Sequence, residues 1–268
     1  EMRKTFGDDP VLGPRRSQFA DAPTGELTPI DAMVEKEPVT IVCSDKGWLR
    51  ALRGHVEEGH DVKYKDGDKG RYWLHAQSTD KLVLFATNGR FYTLACDKLP
   101  GGRGNGEPVR LLLDLANDQE IVDLMVHDPE RKLLVAATDG RGFVVEEKAT
   151  VAQTRSGRQV LNVSGDVEAA VCAPVQGDHL AVVGDNHKLI IFPIEELPEM
   201  TRGRGVVLQK YRDGGLADAK TMNLADGLTW KQAGGRTRTE TDLEMWLGKR
   251  SQAGRLAPKG FPKNNRFS

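Results

Sequence analysis

The sequence predicts an all-β fold, a propeller-like disc of five blades or six. Three observations lead there: an apolar–turn–apolar unit that recurs along the chain, turn residues suited to tight hairpins inside each copy, and spacings of 42, 51 and 47 residues between turns at 47, 89, 140 and 187. A four-stranded propeller blade takes about 40–50 residues, whereas the short strands of a sandwich return about every 8–12.

Residues 1–27, with Pro10, Gly13, Pro14, Pro23 and Gly25 and little apolar periodicity, read as a linker or arm, and residues 28–268 as the folded domain. The first hairpin spans 39–52 around Asp45-Lys46-Gly47, the second 82–94 around Asn88-Gly89, the third 133–145 around Asp139-Gly140 and the fourth 180–192 around Asp185-Asn186-His187. Asn-Gly and Asp-Gly accept the positive φ angles of a two-residue turn, and the flanking β-branched and aromatic residues suit a pleated, half-buried surface. A fifth, less regular unit combines Gly227-Leu-Thr-Trp230, a turn at Gly234-Gly235-Arg236 and the strand-like 237–241. The end, 254–268, with Pro258, Gly260 and Pro262 among Lys259, Lys263 and Arg266, reads as an irregular tail. Sustained helical periodicity is absent from most of the chain, so helix should be scarce.

Of the 268 residues, 38% are apolar and 29% charged, the balance of a globular protein with a sizeable core. No apolar run approaches the ~20 residues of a membrane-spanning helix, and no membrane partner is expected. The cysteines, Cys43, Cys96 and Cys172, are odd in number and never spaced as CxxC, which argues against zinc or a disulfide framework and fits the reducing cytoplasm. No secretion signal opens the chain, which starts at Glu1 and reads as a piece of something longer. A net charge of −1 conceals an asymmetry: 202–268 hold 14 Lys and Arg against 6 Asp and Glu, a basic end on an acidic body. Local basic clusters attract a phosphate backbone whatever the total charge.

Between the hairpins lie Gly-rich basic connectors at 99–108, 154–159 and 200–208. Glycine lets a backbone approach a phosphate closely, and arginine offers a forked, permanently charged donor set. The candidate DNA-binding residues are therefore Arg50, Arg90, Arg141 and Lys188 just after the turns, with Arg103, Arg155, Arg158, Arg202 and Arg204 in the connectors, joined by Lys210 and Arg212.

Three stretches carry a family resemblance: Leu99-Pro-Gly-Gly-Arg-Gly-Asn-Gly-Glu-Pro-Val-Arg110, Gly203-Arg-Gly-Val-Val-Leu-Gln-Lys-Tyr-Arg-Asp-Gly-Gly-Leu216, and the run from Trp246 to Arg266. They resemble the C-terminal DNA-binding domain of bacterial type IIA topoisomerase A subunits, in the topoisomerase IV branch. Phe6-Gly-Asp-Asp and Arg15-Arg-Ser-Gln-Phe19 resemble the junction where the catalytic part of such subunits ends. The resemblance implies a β-pinwheel whose blades exchange a strand with a neighbour and whose basic perimeter binds and bends duplex DNA for ATP-dependent strand passage. It also implies partnership with the ATPase B subunit in a heterotetramer and with the catalytic part of the same subunit, and a place at the nucleoid. Mg2+ and ATP are implied only for the full enzyme, with no cofactor in this domain. The Gln-Arg-Arg-Gly-Gly-Lys-Gly box of gyrase A subunits has no intact copy here, which favours decatenation and relaxation over introduction of supercoils.

Catalysis within the chain is not expected. The six histidines fall in no HExxH or HxH pattern, and neither a Gly-x-Ser-x-Gly elbow nor a phosphate loop is present. None of Tyr64, Tyr72, Tyr92 and Tyr211 stands beside an arginine in the DNA-cleaving context that the resemblance would require. Two rival readings differ in class: a propeller scaffold for protein partners working through acidic faces, and a propeller enzyme with a metal in a central channel. The latter needs inward carboxylates or histidines at equivalent blade positions, and the sequence shows none repeating.

Overall fold

The computed structural model describes residues 35–58, 62–101, 104–232 and 234–268. The arm expected at 1–27, the domain start at 28 and Arg103 lie outside the described residues. Four hairpins form where the apolar runs predict them: β1 (Pro38–Ser44) with β2 (Trp48–Arg53), β4 (Lys81–Ala86) with β5 (Arg90–Ala95), β8 (Lys132–Ala137) with β9 (Arg141–Glu146), and β12 (His179–Gly184) with β13 (Lys188–Pro193). At each turn the residue needing positive φ is Gly47, Gly89, Gly140 or His187, at 77°, 72°, 78° and 60°. The preceding Asn88, Asp139 and Asn186 side chains accept from the amides of Arg90, Arg141 and Lys188 at 3.0–3.1 Å, which locks three of the turns.

A third strand joins the first strand of each hairpin: β3 (Gly70–Gln77), β7 (Ile121–Val126), β11 (Ala169–Pro174) and β15 (Leu216–Met222). The fourth position is filled from the following repeat. Strands β6 (Glu107–Pro108), β10 (Arg158–Gln159), β14 (Val206–Val207) and β18 (Arg255–Leu256) pair with β2, β5, β9 and β13. After the second, third and fourth hairpins the chain thus crosses to the preceding blade, forms two residues of strand there, and returns to its own sheet; after the fifth it forms β18 on the fourth blade. This is the strand exchange that the resemblance implies. The sheets read β3-β1-β2-β6, β10-β5-β4-β7, β11-β8-β9-β14 and β15-β12-β13-β18, followed by a two-stranded fifth sheet of β16 (Leu228–Lys231) and β17 (Thr237–Glu240). The fold is an all-β pinwheel in which α-helix among the described residues is one turn, Val109–Leu112.

The core lies between blades. Along β4, Leu82 and Leu84 face the first blade while Val83 and Phe85 face the third. Along β12, Leu180 and Val182 face the third blade while Ala181 and Val183 pack with Leu228 and Trp230 of the fifth sheet. Burial on both faces is why these central strands read as unbroken apolar runs instead of alternating ones. The expectation of an irregular tail is corrected: Arg255–Leu256 complete the fourth blade, and Phe261 and Phe267 are buried against Trp230. Two aromatic anchors outweigh the Pro- and Gly-rich composition around them. Residues Glu35–Ser268 form one compact unit, and none of the described helices is long and apolar enough to cross a membrane.

Candidate nucleic-acid interface

Strands β3, β7, β11 and β15 lie against one another, so they form the inner side of the sheets and the exchanged strands form the outer edge. A glycine with positive φ leads into each exchanged strand: Gly106, Gly157, Gly205 and Gly254, at 80°, 71°, 73° and 74°. A Cβ there would stand 2.3, 2.8, 2.3 and 2.4 Å from the carbonyl oxygens of Leu49, Phe91, Gly142 and Leu189, so no larger residue fits. Just past the exchanged strand, the amides of Val109, Leu161, Leu208 and Ala257 donate to the carbonyls of Gly47, Gly89, Gly140 and His187 at 2.8–3.0 Å. Each hairpin turn is therefore tied to the connector of the next repeat, and the candidate cations of the two meet on one edge.

On the second blade the Arg90 guanidinium donates to Ser156 O at 2.9 Å, which sets it against the connector bearing Arg155 and Arg158. Arg155 donates to Leu111 O at 2.5 Å and lies 3.8 Å from Asp114. On the third blade Arg141 and Arg204 bracket Asp139 at 3.8 and 3.3 Å, and Arg202 reaches Asn162 Oδ1 at 3.3 Å. On the fourth, Lys188 opens β13, its carbonyl accepts from Gln209 at 3.0 Å, and the next residue, Lys210, is exposed, as is Arg212. Arg158, Lys188, Lys210 and Arg212 have no carboxylate within ion-pair distance among the described residues.

The first blade departs from this pattern. Arg50 is only 4% exposed, and its guanidinium donates to Gly104 O and, at 2.6 Å, to Lys63 O. It is a bracing residue and not a surface cation, because it is the third residue of β2 and points back under the 62–65 segment. The strand position that Arg90, Arg141 and Lys188 occupy belongs here to Trp48, whose ring Lys65 Nζ covers at 3.4 Å. The matching exchanged strand carries Glu107 where β10 carries Arg158.

Arg255 is the cation that sequence reasoning missed. It pairs with Leu189 as Arg158 pairs with Phe91, exposed on the outer edge of the fourth blade. The signal was the Gly-Arg dipeptide, Gly157-Arg158 and Gly254-Arg255. Arg250, five residues earlier, is spent on the Val207 carbonyl at 2.8 Å.

The inner strands enclose a hollow of about 500 Å³ lined by Arg71, Asp123, Cys172, Asp218 and Lys220 among others. Here a second expectation is corrected, since inward carboxylates do repeat: Asp123 faces Phe85 and Asp218 faces Val183, the same register position in two blades. The first and third blades place Tyr72 and Val171 there. Burial pushes the Asp123 carboxyl up to about 6 and raises that of Asp218. Among the described residues no group of three or more metal-ligating side chains occurs. His55 and His75, scattered in sequence, stack at 4.6 Å, with each Nε2 on a backbone carbonyl oxygen. Tyr92 is buried and its hydroxyl accepts from Asn88 at 2.8 Å.

Comparison with known proteins agrees with this architecture. Residues 80–128 and 178–216 match the model of the family described as DNA gyrase C-terminal domain, beta-propeller. The chain is 43% identical over 268 residues, all of its length, to the A subunit of DNA topoisomerase 4 from Rickettsia bellii, covering 36% of that protein. It is 46% identical over 253 residues, 94% of its length, to the protein of the same name from Caulobacter vibrioides, covering 33% of that protein. The chain thus spans about a third of the length of these relatives. Among solved structures, the E. coli ParC C-terminal domain superposes with a TM-score of 0.74 at 26% identity, over 85% of this chain and 96% of that one. The DNA gyrase A C-terminal domain shares the fold at 16% identity and a TM-score of 0.60, over 85% of this chain and 80% of that one.

Proposed function

This chain belongs to the family of C-terminal domains of bacterial topoisomerase IV A subunits, gyrase A-like β-pinwheels, and we propose from that premise that it binds duplex DNA along the outer edges of its second, third and fourth blades. One observation carries the reading. In three successive blades the second hairpin strand opens on a cation and the next repeat delivers another to the same outer edge: Arg90 and Arg158, one register position apart, Arg141 and Arg204, which share Asp139, and Lys188 and Arg255, again one position apart.

Such a track works by displacing counterions condensed on the phosphates. Six contacts would give a log–log salt slope of about −5. Asp139 and Asp114 already hold Arg141, Arg204 and Arg155 at 3.3–3.8 Å, so these guanidiniums arrive pre-aimed and a phosphate must compete with a carboxylate for them. Among the described residues no α-helix longer than one turn occurs that could read bases, so recognition would run through backbone and shape. Following a curved edge bends the duplex, at a cost of about 1–6 kcal/mol for a 20–30 bp site, which several charge-assisted contacts offset. Glu107 and the buried Arg50 leave the outer edge of the first blade without the two cations that the next three blades carry at those strand positions, which fits modest wrapping and, in the whole enzyme, decatenation and relaxation. That enzyme would join this domain to the catalytic part of the same subunit, and both to the ATPase B subunit, at the nucleoid, with ATP and Mg2+ serving parts outside this chain.

The test is fluorescence anisotropy with a 30-bp duplex at 50 and 200 mM salt. Arg202→Glu with Arg204→Glu should weaken binding with little change in melting temperature, since both side chains are exposed. Binding that ignores salt, or none at 50 mM, would overturn the reading.

A further inference from the structure

Beside the fifth sheet lies a hollow of about 740 Å³ between the β16–β17 hairpin and the end of the chain. Its charged side chains are Lys231, Lys263 and Arg266, with Gln232 and Asn264 as neutral polar neighbours and no Asp or Glu among the lining residues. Gly235 and Gly260 form part of the wall; nothing stands within 4 Å of where a Cβ of Gly235 would be, while Gly260 is covered by Arg238 and Gln232.

The hollow is firmly built. Phe261 packs edge-on against Trp230 at 5.4 Å and against Phe267 at 5.3 Å, and the Lys231 amide donates to Phe267 O at 2.9 Å. Trp230 Nε1 and Gln232 Nε2 both donate to Gly260 O, at 3.3 and 3.5 Å. Arg238 covers the Trp230 ring at 5.6 Å. Lys231 and Lys263 are exposed and pair with no carboxylate of the described residues, and Arg266 has only Asp218, at 4.0 Å. Lys231 and Lys263 face one cavity with no carboxylate of their own, Arg266 shares its charge with Asp218, and the ammonium and guanidinium donors suit phosphate oxygens.

We infer that this hollow is a phosphate-binding site, and that in the DNA-bound domain it seats sugar–phosphate backbone beyond the fourth blade. The inference rests on the duplex-binding reading above. It would carry the contact from Lys188 and Arg255 onto Lys231 and Lys263 beside the fifth sheet, with Arg266 turned toward Asp218 at the inner hollow, in the region that holds most of the positive balance of 202–268.

The experiment compares wild type, Lys231→Ala/Lys263→Ala, and Arg202→Glu/Arg204→Glu by duplex anisotropy across 50–200 mM salt, with pyrophosphate titrated calorimetrically in parallel. Removing two phosphate contacts should flatten the log–log slope by about 1.8, so the wild type loses about 12-fold more affinity over this range than the lysine variant. Melting temperatures should be unchanged. If only pyrophosphate binding is lost, the site takes a free phosphate ester and the DNA extension is overturned. If the lysine variant matches wild type in both assays while the arginine variant loses duplex affinity, the hollow is not a phosphate site and the track ends at the fourth blade. A wild type that fails to bind duplex sinks the underlying reading instead.

Discussion

Replacing Gly205 by alanine tests whether glycine is what permits the strand exchange. Gly205 sits at φ 73°, and an added Cβ would stand 2.3 Å from Gly142 O and 2.5 Å from its carbonyl carbon. Holding an alanine at that φ costs about 1–2 kcal/mol before any clash is counted. The chain can escape only by releasing β14, which surrenders its short ladder to β9 and the Leu208 amide bond to Gly140 O, 2.8 Å long. Two or three such bonds at about 1 kcal/mol each set a ceiling. The cheaper route governs, so Gly205→Ala should cost about 2–3 kcal/mol, a fall of roughly 4–12 °C in melting temperature for a domain of this size. Two controls separate strain from collision. Gly104 has φ 76° with nothing within 4 Å of a Cβ, so alanine there should cost only the left-handed strain, about 1–2 kcal/mol. Gly101 has neither constraint and should stay within about 0.5 kcal/mol. Thermal and urea melts of the three variants give the ranking. If Gly205→Ala melts like Gly101→Ala, the close approach is not holding the edge and the account of the exchanged strand fails.

Glu147 is fully buried and accepts from His127 Nδ1 at 3.0 Å, the Asp128 amide at 2.9 Å and Arg131 Nε at 2.5 Å. Glu147→Ala strands that guanidinium and should cost about 3–5 kcal/mol in chemical denaturation, more than Glu147→Gln; a loss under 1 kcal/mol would contradict it. Arg50→Ala orphans the carbonyls of Lys63 and Gly104 and should cost about 1–3 kcal/mol in melts while leaving the salt slope of duplex binding unchanged; a flatter slope would return Arg50 to the DNA surface. Burial raises the Asp123 carboxyl to about 6 from an ordinary 3.8, so the folded state holds a proton that the unfolded state releases between those values. Stability drawn from that proton is present below pH 4 and lost as pH rises through 6, so Asp123→Asn should gain on wild type across that window by up to about 3 kcal/mol; parallel melting curves from pH 4 to 7 would refute it.

The hairpins were legible because each rests on local chemistry: a residue that tolerates positive φ between two apolar runs, at 47, 89, 140 and 187. The four blade positions follow from the same signal. The exchange was not legible from the residues, since an outer strand of two residues such as Glu107–Pro108 has no periodicity to detect. Its trace is a glycine before each strand, which reads in isolation as an ordinary linker residue. Arg50 misled because counting from the turn does not reveal which residue opens the strand, and Trp48 does. The repeated carboxylates escaped notice because a bulge in the ladder precedes both Asp123 and Asp218 and their neighbours differ, Val122 and Leu124 in one case, Ala217 and Ala219 in the other.

Strand exchange also decides how charge on the rim is inherited. The edge of the third blade is written partly by its own turn, at Asp139 and Arg141, and partly by Arg202 and Arg204, which lie about 60 residues onward in the connector of the fourth repeat. A substitution in one repeat therefore alters the edge of the blade before it. Only the first four blades receive such a strand among the described residues, and the last of these receives Arg255 from the chain's final segment. The basic balance of 202–268 then has a structural meaning: the connectors that reach back to the third and fourth blades are encoded there, along with the cations around the fifth sheet. On the proposed reading, a duplex would meet the cations of 202–268 on the third and fourth blades and around the fifth sheet, and should engage those blades more strongly than the first.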